Sequence, residues 1–414
     1  MADVVRLSGE AFRETHRPSG EALRVLRDVE VCRTPALGGH LDVCQACGAE
    51  RPSYNSCRNR HCPKCQALRQ ARWVAERERR ILPTHHFHVV FTLPAPLRAV
   101  AMRHRRRVFD LLFASAAGTL LDLGQDRLGA QLAVTAVLHT WKRDLGWHPH
   151  VHCIVSGGGL DAARGRWVAS KKKFLFPVLV LGEVFRGKFL EALGAAIDRG
   201  EIDVGGADRE RFFRALWAVR WVVYAKQPFG DAGHVIRYLG RYTHRVGISN
   251  ARIERVAGDG VTFRTKAGAR VTLAPEEFLR RFLLHVLPPG FTKIRHYGLL
   301  AAGNVNGRLE RARALLSTAT APTPATATPA PQAWTEVLLA LAGVDVAVCR
   351  QCHARAVVRC PLPSPRKRPT DRILPAAIPA REPRVGGERC GGGELGVSVI
   401  ERGRRWFGFC PSMS

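Results

Sequence analysis

Two Cys-x-x-Cys pairs, Cys44–Cys47 and Cys62–Cys65, stand 14 residues apart near the start of the chain. Each such turn directs two sulfurs at one point, and zinc accepts four soft thiolates in a tetrahedron at about 2.3 Å. The surrounding segment is poor in apolar residues, so metal supplies folding energy that so small a core lacks. The spacing predicts a zinc module with Cys44, Cys47, Cys62 and Cys65 on one structural Zn2+ ion. Cys32, His40, Cys57 and His61 add four donors, either a second zinc set or spare residues beside a single ion. A closed four-ligand site has no open position for water, so the module reads as structural and DNA-binding rather than catalytic. Between the pairs, Tyr54 is followed by Arg58 and Arg60, an aromatic and two guanidiniums suited to bases and phosphates.

Charge points the same way. The 414 residues include 64 Lys+Arg against 35 Asp+Glu, a net +29, and 54 of the basic residues are Arg. Arginine presents a planar fork to phosphate oxygens, and so large an excess predicts a polyanionic partner, nucleic acid ahead of an anionic membrane surface. No apolar run reaches the roughly 18 residues that span a bilayer, and Met1 to Glu21 has no signal-peptide h-region, so no membrane association is expected. Without export the 12 cysteines are expected to be metal ligands rather than disulfides.

Hydrophobic residues make up 46 %, enough for a sizeable core. Periodicity predicts helices over 67–80, 97–123, 178–198, 208–226 and 233–245. It predicts strands over 85–93, 131–139 and 149–156, the last closed by Gly157-Gly158-Gly159, and short strands within 252–273. This mixture is an α+β sheet domain behind a small zinc-binding module. The expected divisions are 1–80 (zinc module and basic helix), 81–250 (catalytic domain), 251–316 (its C-terminal part), 317–333 (a Thr/Ala/Pro linker) and 334–414 (a disordered or degenerate tail). Arg103 to Arg107, at the start of one predicted helix, form a second basic cluster.

Two constellations carry chemistry. In Trp147-His148-Pro149-His150-Val151-His152, strand alternation sends His150 and His152 to one face, where two imidazoles can hold a single metal ion. In Tyr238-Leu239-Gly240-Arg241-Tyr242, helical spacing stacks both phenols on one face, together with His234. Arg237, Arg241 and Arg245 surround them with cationic donors. The plainer alternative for that helix is an amphipathic face packed in a core.

The segments Cys32 to Cys65, His148 to Leu160 and Tyr238 to Asn250 together resemble the rolling-circle transposases of the insertion-sequence-ninety-one family, over about residues 20–315. The resemblance implies an HUH endonuclease core, an antiparallel sheet with flanking helices. There the His-hydrophobic-His pair, here His150 and His152, holds a catalytic Mg2+ or Mn2+ ion. It implies that Tyr238 and Tyr242 attack single-stranded DNA at transposon ends and form 5′-phosphotyrosyl links. His234 is the candidate third ligand from helix geometry, with His139 and His148 as rivals. No GxxxxGK[ST] motif is present, so no ATP requirement is expected. A bacterial, cytoplasmic, nucleoid-associated protein is implied. The chain departs from the family at Lys142-Arg143, where Gly-Gln is common. Two competing readings are a zinc-dependent DNA-binding protein without nuclease activity and a metal hydrolase without a covalent intermediate.

Overall fold

Alternating side chains decide the central sheet. In Gln131–Trp141, Leu132, Val134, Ala136 and Leu138 are buried on one face, while Thr135, Val137 and His139 take the other. A computed structural model describes residues 1–206, 208–229, 240, 247–265, 268–318 and 333–365. Met1–Lys367 forms one compact unit.

The chain opens with α1 (Ala2–His16) and α2 (Gly20–Val31), the second capped by the Ser19 hydroxyl accepting from Ala22 N–H. Strands β1 (Gly39–Cys44) and β2 (Glu50–Tyr54) lead to α3 (Ala67–Arg80), where the predicted basic helix lies. β3 (His86–Thr92), α4 (Arg98–Arg103), α5 (Arg105–Leu128), β4 (Gln131–Trp141), β5 (Trp147–Asp161) and β6 (Arg166–Ala169) follow. Next come α6 (Val178–Asp198), α7 (Arg209–Ala218) and β7 (Val223–Phe229). The last described elements are β8 (Ile253–Ala257), β9 (Gly260–Arg264), β10 (Arg270–Leu273), α8 (Pro275–Leu284), β11 (Ile294–Gly298), α9 (Arg308–Thr318), α10 (Trp334–Ala342) and β12 (Val357–Leu362).

The principal sheet has the order β11-β4-β5-β3-β7, with β6 on the far end of β5, and every pairing is antiparallel. The expected α+β class is observed. One face packs on α5 and α6 through Phe91, Phe109, Phe113, Phe185 and Phe189, all fully buried. Truncating one of these to alanine costs about 3–5 kcal/mol. A second core joins α1, α2 and the cysteine module to β8–β10 and α8 through Val25, Leu26, Phe263, Phe278 and Phe282. Residues of the 251–316 stretch, expected as the C-terminal part of the catalytic domain, are therefore packed against the N-terminal helices.

Three expectations are corrected. The predicted helix over 208–226 ends at Ala218, and Val223–Phe229 instead forms the edge strand beside β3. The β-branched pair Val222-Val223 suits that position better than a helix. Gly157-Gly158-Gly159 does not close β5, which runs on to Asp161. A Cβ at Gly157 would lie 2.3 Å from the His85 ring, and one at Gly159 would lie 2.7 Å from the Gln131 carbonyl, so these glycines admit close neighbours. Finally, the described part of 334–414 is ordered: β12 pairs with β1 in a three-stranded sheet β12-β1-β2. Its anchor is Arg359 Nε donating to Asp42 Oδ1 at 2.6 Å.

Candidate functional site

The sheet face opposite α5 and α6 carries a row of imidazoles. His139 on β4 pairs in register with His150 on β5, and His152 pairs with Val137, so all three histidines share that face. One ring nitrogen from each of His139, His150 and His152 lies within 4.8 Å of the others, a set able to hold one metal ion. The ring centroids of His139 and His152 are 4.2 Å apart, and those of His150 and His152 are 4.9 Å apart. His148, one of the rivals for the third position, is outside this group, with its ring 5.3 Å from that of His150. His234 lies outside the described residues.

A backbone carbonyl fixes the tautomer of His150. His150 Nδ1–H donates to the His148 carbonyl at 2.6 Å, which leaves the Nε2 lone pair available. Burial pushes the His150 imidazole down to about 4, so it is neutral at pH 7. His152 Nδ1 lies 2.7 Å from Nε2 of His88 on β3, and the rings stack with centroids 4.9 Å apart. With His152 donating, His88 acts as the orienting acceptor and Nε2 is the His152 nitrogen on offer to a metal. Sequence reasoning passed over His88. Its signal was alternation in His86-Phe87-His88, which turns His88 to the same face as His150 and His152.

The histidine face is covered on one side by α3, whose Trp73 packs against Val137 and Ile154. A Cβ on Gly240 would meet Val74 of the same helix at 2.3 Å, so residue 240 approaches α3 closely. Tyr238 and Tyr242, two residues to either side of Gly240, lie outside the described residues, as do Arg237, Arg241 and Arg245. Tyr224 on β7 pairs with Val90 and is 54 % exposed beside this face.

The cysteines group differently from the spacing rule. Cys62 and Cys65 join Cys32 and Cys57, while Cys44 and Cys47 join Cys349 and Cys352. The expected set of Cys44, Cys47, Cys62 and Cys65 on one ion is thus corrected: the two N-terminal pairs belong to different clusters. Among the described residues, neither His40 nor His61 belongs to such a cluster. His61 is instead a satisfied core histidine, with Nδ1–H donating to Asn59 Oδ1 at 3.1 Å and Nε2 accepting from Leu287 N–H at 3.1 Å. His40 lies 4.0 Å from Asp42. Sulfurs of Cys57 and Cys65 are 3.7 Å apart, close to the ~3.8 Å edge of a zinc–thiolate tetrahedron with 2.3 Å bonds. The Cys32 cluster therefore suits zinc by both donor type and separation.

The basic contacts also sort themselves. Arg58 is exposed, with a left-handed φ of 55°, between two surface hollows. Arg60 is turned inward and donates to the Pro288 and Phe291 carbonyls. Arg105 likewise donates to the Leu284 and Val286 carbonyls at 3.1 Å, and Arg106 to that of Pro289. The cluster over 103–107 is consequently in large part an internal tie.

Comparison with known proteins agrees with this architecture. Residues 4–93 match a family model described as "Transposase zinc-binding domain", and residues 133–308 match one described as "Putative transposase". A relative from Sinorhizobium fredii, named "Putative transposase y4qJ", is 42 % identical over 371 residues, spanning 85 % of this chain and 92 % of the relative. The chain belongs to the IS91 family of transposases. The transposase for insertion sequence element IS801 of Pseudomonas savastanoi pv. phaseolicola is 29 % identical over 362 residues, spanning 80 % of this chain and 84 % of that protein. No solved structure matches the transposase. Among its described residues, no helix is long and apolar enough to cross a membrane.

Proposed function

We propose that this transposase nicks single-stranded DNA at the ends of its element and transfers the strand through 5′-phosphotyrosyl links on Tyr238 and Tyr242, in rolling-circle-type transposition. The observation that carries the reading is the convergence of His139, His150 and His152 on one sheet face, each offering a ring nitrogen within 4.8 Å of the others. His139, rather than His148, completes the set with His150 and His152. These three would hold Mg2+ or Mn2+, which supplies positive charge to a scissile phosphate.

The phenolic oxygen of one tyrosine forms a bond to phosphorus as the bond to the 3′ oxygen breaks, and the phenol proton passes to that leaving oxygen. The products are a phosphotyrosyl 5′ end and a free 3′-OH. Phosphodiester energy is conserved in the link, so the reverse attack by another 3′-OH rejoins DNA without ATP. Two tyrosines allow one to hold a strand while the other cuts. The basic neighbours Arg237, Arg241 and Arg245 neutralise phosphate charge, and exposed Tyr224 offers a stacking surface for an unpaired base. Arg58 extends the DNA contact onto the zinc module, which takes part in recognition.

The test is incubation of the full chain with single-stranded DNA from an element end and Mn2+, followed by denaturing electrophoresis. A protein–DNA adduct is expected, and it disappears in a Tyr238→Phe/Tyr242→Phe double variant. Binding without any adduct returns the reading to a DNA-binding protein without nuclease activity. Adduct-free cleavage with a 5′-phosphate product indicates metal-activated water.

A further inference from the structure

Cys349 and Cys352 lie far beyond residues 4–93, the stretch matched by the zinc-binding domain. Their backbone nevertheless repeats, bond for bond, that of Cys44 and Cys47. Cys44 N–H donates to the Ala49 carbonyl at 2.9 Å, and Cys349 N–H donates to that of Ala354 at 2.9 Å. Gly48 N–H returns to the Cys44 carbonyl at 2.9 Å, and His353 N–H to that of Cys349 at 3.0 Å. The residue after each pair is left-handed, with φ 71° at Gly48 and 60° at His353. That conformation is unfavourable for a residue with a Cβ, so His353 is held there by its surroundings.

The two turns face each other. Cys44 Sγ lies 3.6 Å from Cys352 Sγ, and Cys47 Sγ lies 3.8 Å from Cys349 Sγ. These separations match the ~3.8 Å edge of a tetrahedron with 2.3 Å zinc–sulfur bonds, and all four sulfurs lie within 4.8 Å of one another. Gln351 N–H points at Cys349 Sγ at 3.4 Å, as Lys64 N–H points at Cys62 Sγ at 3.4 Å in the other cluster. An N–H donor aimed at a sulfur favours its thiolate form.

We propose that Cys44, Cys47, Cys349 and Cys352 bind a second structural Zn2+ ion, and that this ion clasps the segment beyond the Thr/Ala/Pro stretch onto the N-terminal sheet as its third strand. The ion fixes one end of β12, where Gln45 N–H donates to the Ala356 carbonyl at 2.9 Å, and the Asp42–Arg359 pair fixes its middle. The assignment is independent of the nicking chemistry, because none of its ligands belongs to the histidine group.

The experiment is metal analysis of the purified full chain by mass spectrometry, with limited proteolysis of the same samples. Wild type is expected to carry two zinc ions per chain. Both Cys349→Ser/Cys352→Ser and Cys44→Ser/Cys47→Ser should carry one, with cleavage within 333–365 at least tenfold faster. The remaining ion reports that the Cys32, Cys57, Cys62, Cys65 site is intact, so misfolding of the whole module is distinguished from loss of the clasp. A single zinc in wild type overturns the proposal, as does retention of two ions by either variant. Cys44–Cys352 or Cys47–Cys349 disulfides found in metal-free chain after alkylation without reductant also overturn it. Loss of one ion with unchanged proteolysis refutes the clasping role.

Discussion

His285 makes the acid stability of this transposase predictable. It is buried at the end of α8, where Nε2–H donates to the Leu145 carbonyl at 2.9 Å and Nδ1 accepts from the Thr140 hydroxyl at 3.1 Å. Its ring stacks on Trp147 with centroids 6.1 Å apart, so it locks the turn between β4, which carries His139, and β5, which carries His150. Burial, with Arg105 adding repulsion, pulls its imidazole down to about 4 from an ordinary 6.5. The neutral form is thus favoured in the folded chain, while the unfolded chain takes up a proton first as pH falls. Stability from this group is complete above pH 6.5 and is lost on descending toward 4, at about 1.4 kcal/mol per pH unit. Between pH 7.5 and 5.0 the loss comes to about 2 kcal/mol. His285→Gln removes the titration and keeps an N–H donor. Urea denaturation of both zinc-loaded chains should show wild type losing about 2 kcal/mol more than the variant over that interval. Proton-driven zinc release is common to both chains and cancels. Parallel pH dependences would refute the reasoning, since they would mean that His285 is protonated in the folded protein or reached by water.

Other outcomes follow from single contacts. His88→Phe should weaken Mn2+ binding about 10- to 100-fold in calorimetry while leaving zinc content unchanged, because it removes the acceptor that orients His152. Gly298→Ala should destabilise the chain by on the order of 3 kcal/mol in urea, since φ is 60° and the new Cβ would fall 1.9 Å from the Leu132 carbonyl. Arg58→Ala should weaken DNA binding and reduce the salt slope by about 1, while Arg60→Ala should lower stability and leave that slope unchanged.

Local pattern made much of this legible. Strand alternation alone puts His150 and His152 on one face, and α3 and α6 fall where periodicity sets them. What escaped depends on partners distant in sequence. His139 was one of several rivals because only strand pairing brings it opposite His150. His88 needed the register of β3 against β5. The cysteine spacing promised one local tetrahedron, yet Cys47 meets Cys349 across 302 residues, and no spacing rule reaches that far. The strand at Val223–Phe229 was hidden in an apolar run that suits either conformation, and the vacant edge of β3 decided it.

The union of β1 with β12 also sets an order of assembly. Asp42 and Arg359 are separated by 317 positions. At the usual ribosomal pace of about 5–20 residues per second, the first sheet waits roughly 15–60 s for its last strand. During that interval β1 has an open edge, and Cys44 and Cys47 lack the thiols that complete their tetrad. A nascent or prematurely terminated chain therefore differs from the finished one at its beginning rather than only at its end. Translation to residue 362 becomes a condition for finishing the N-terminal module.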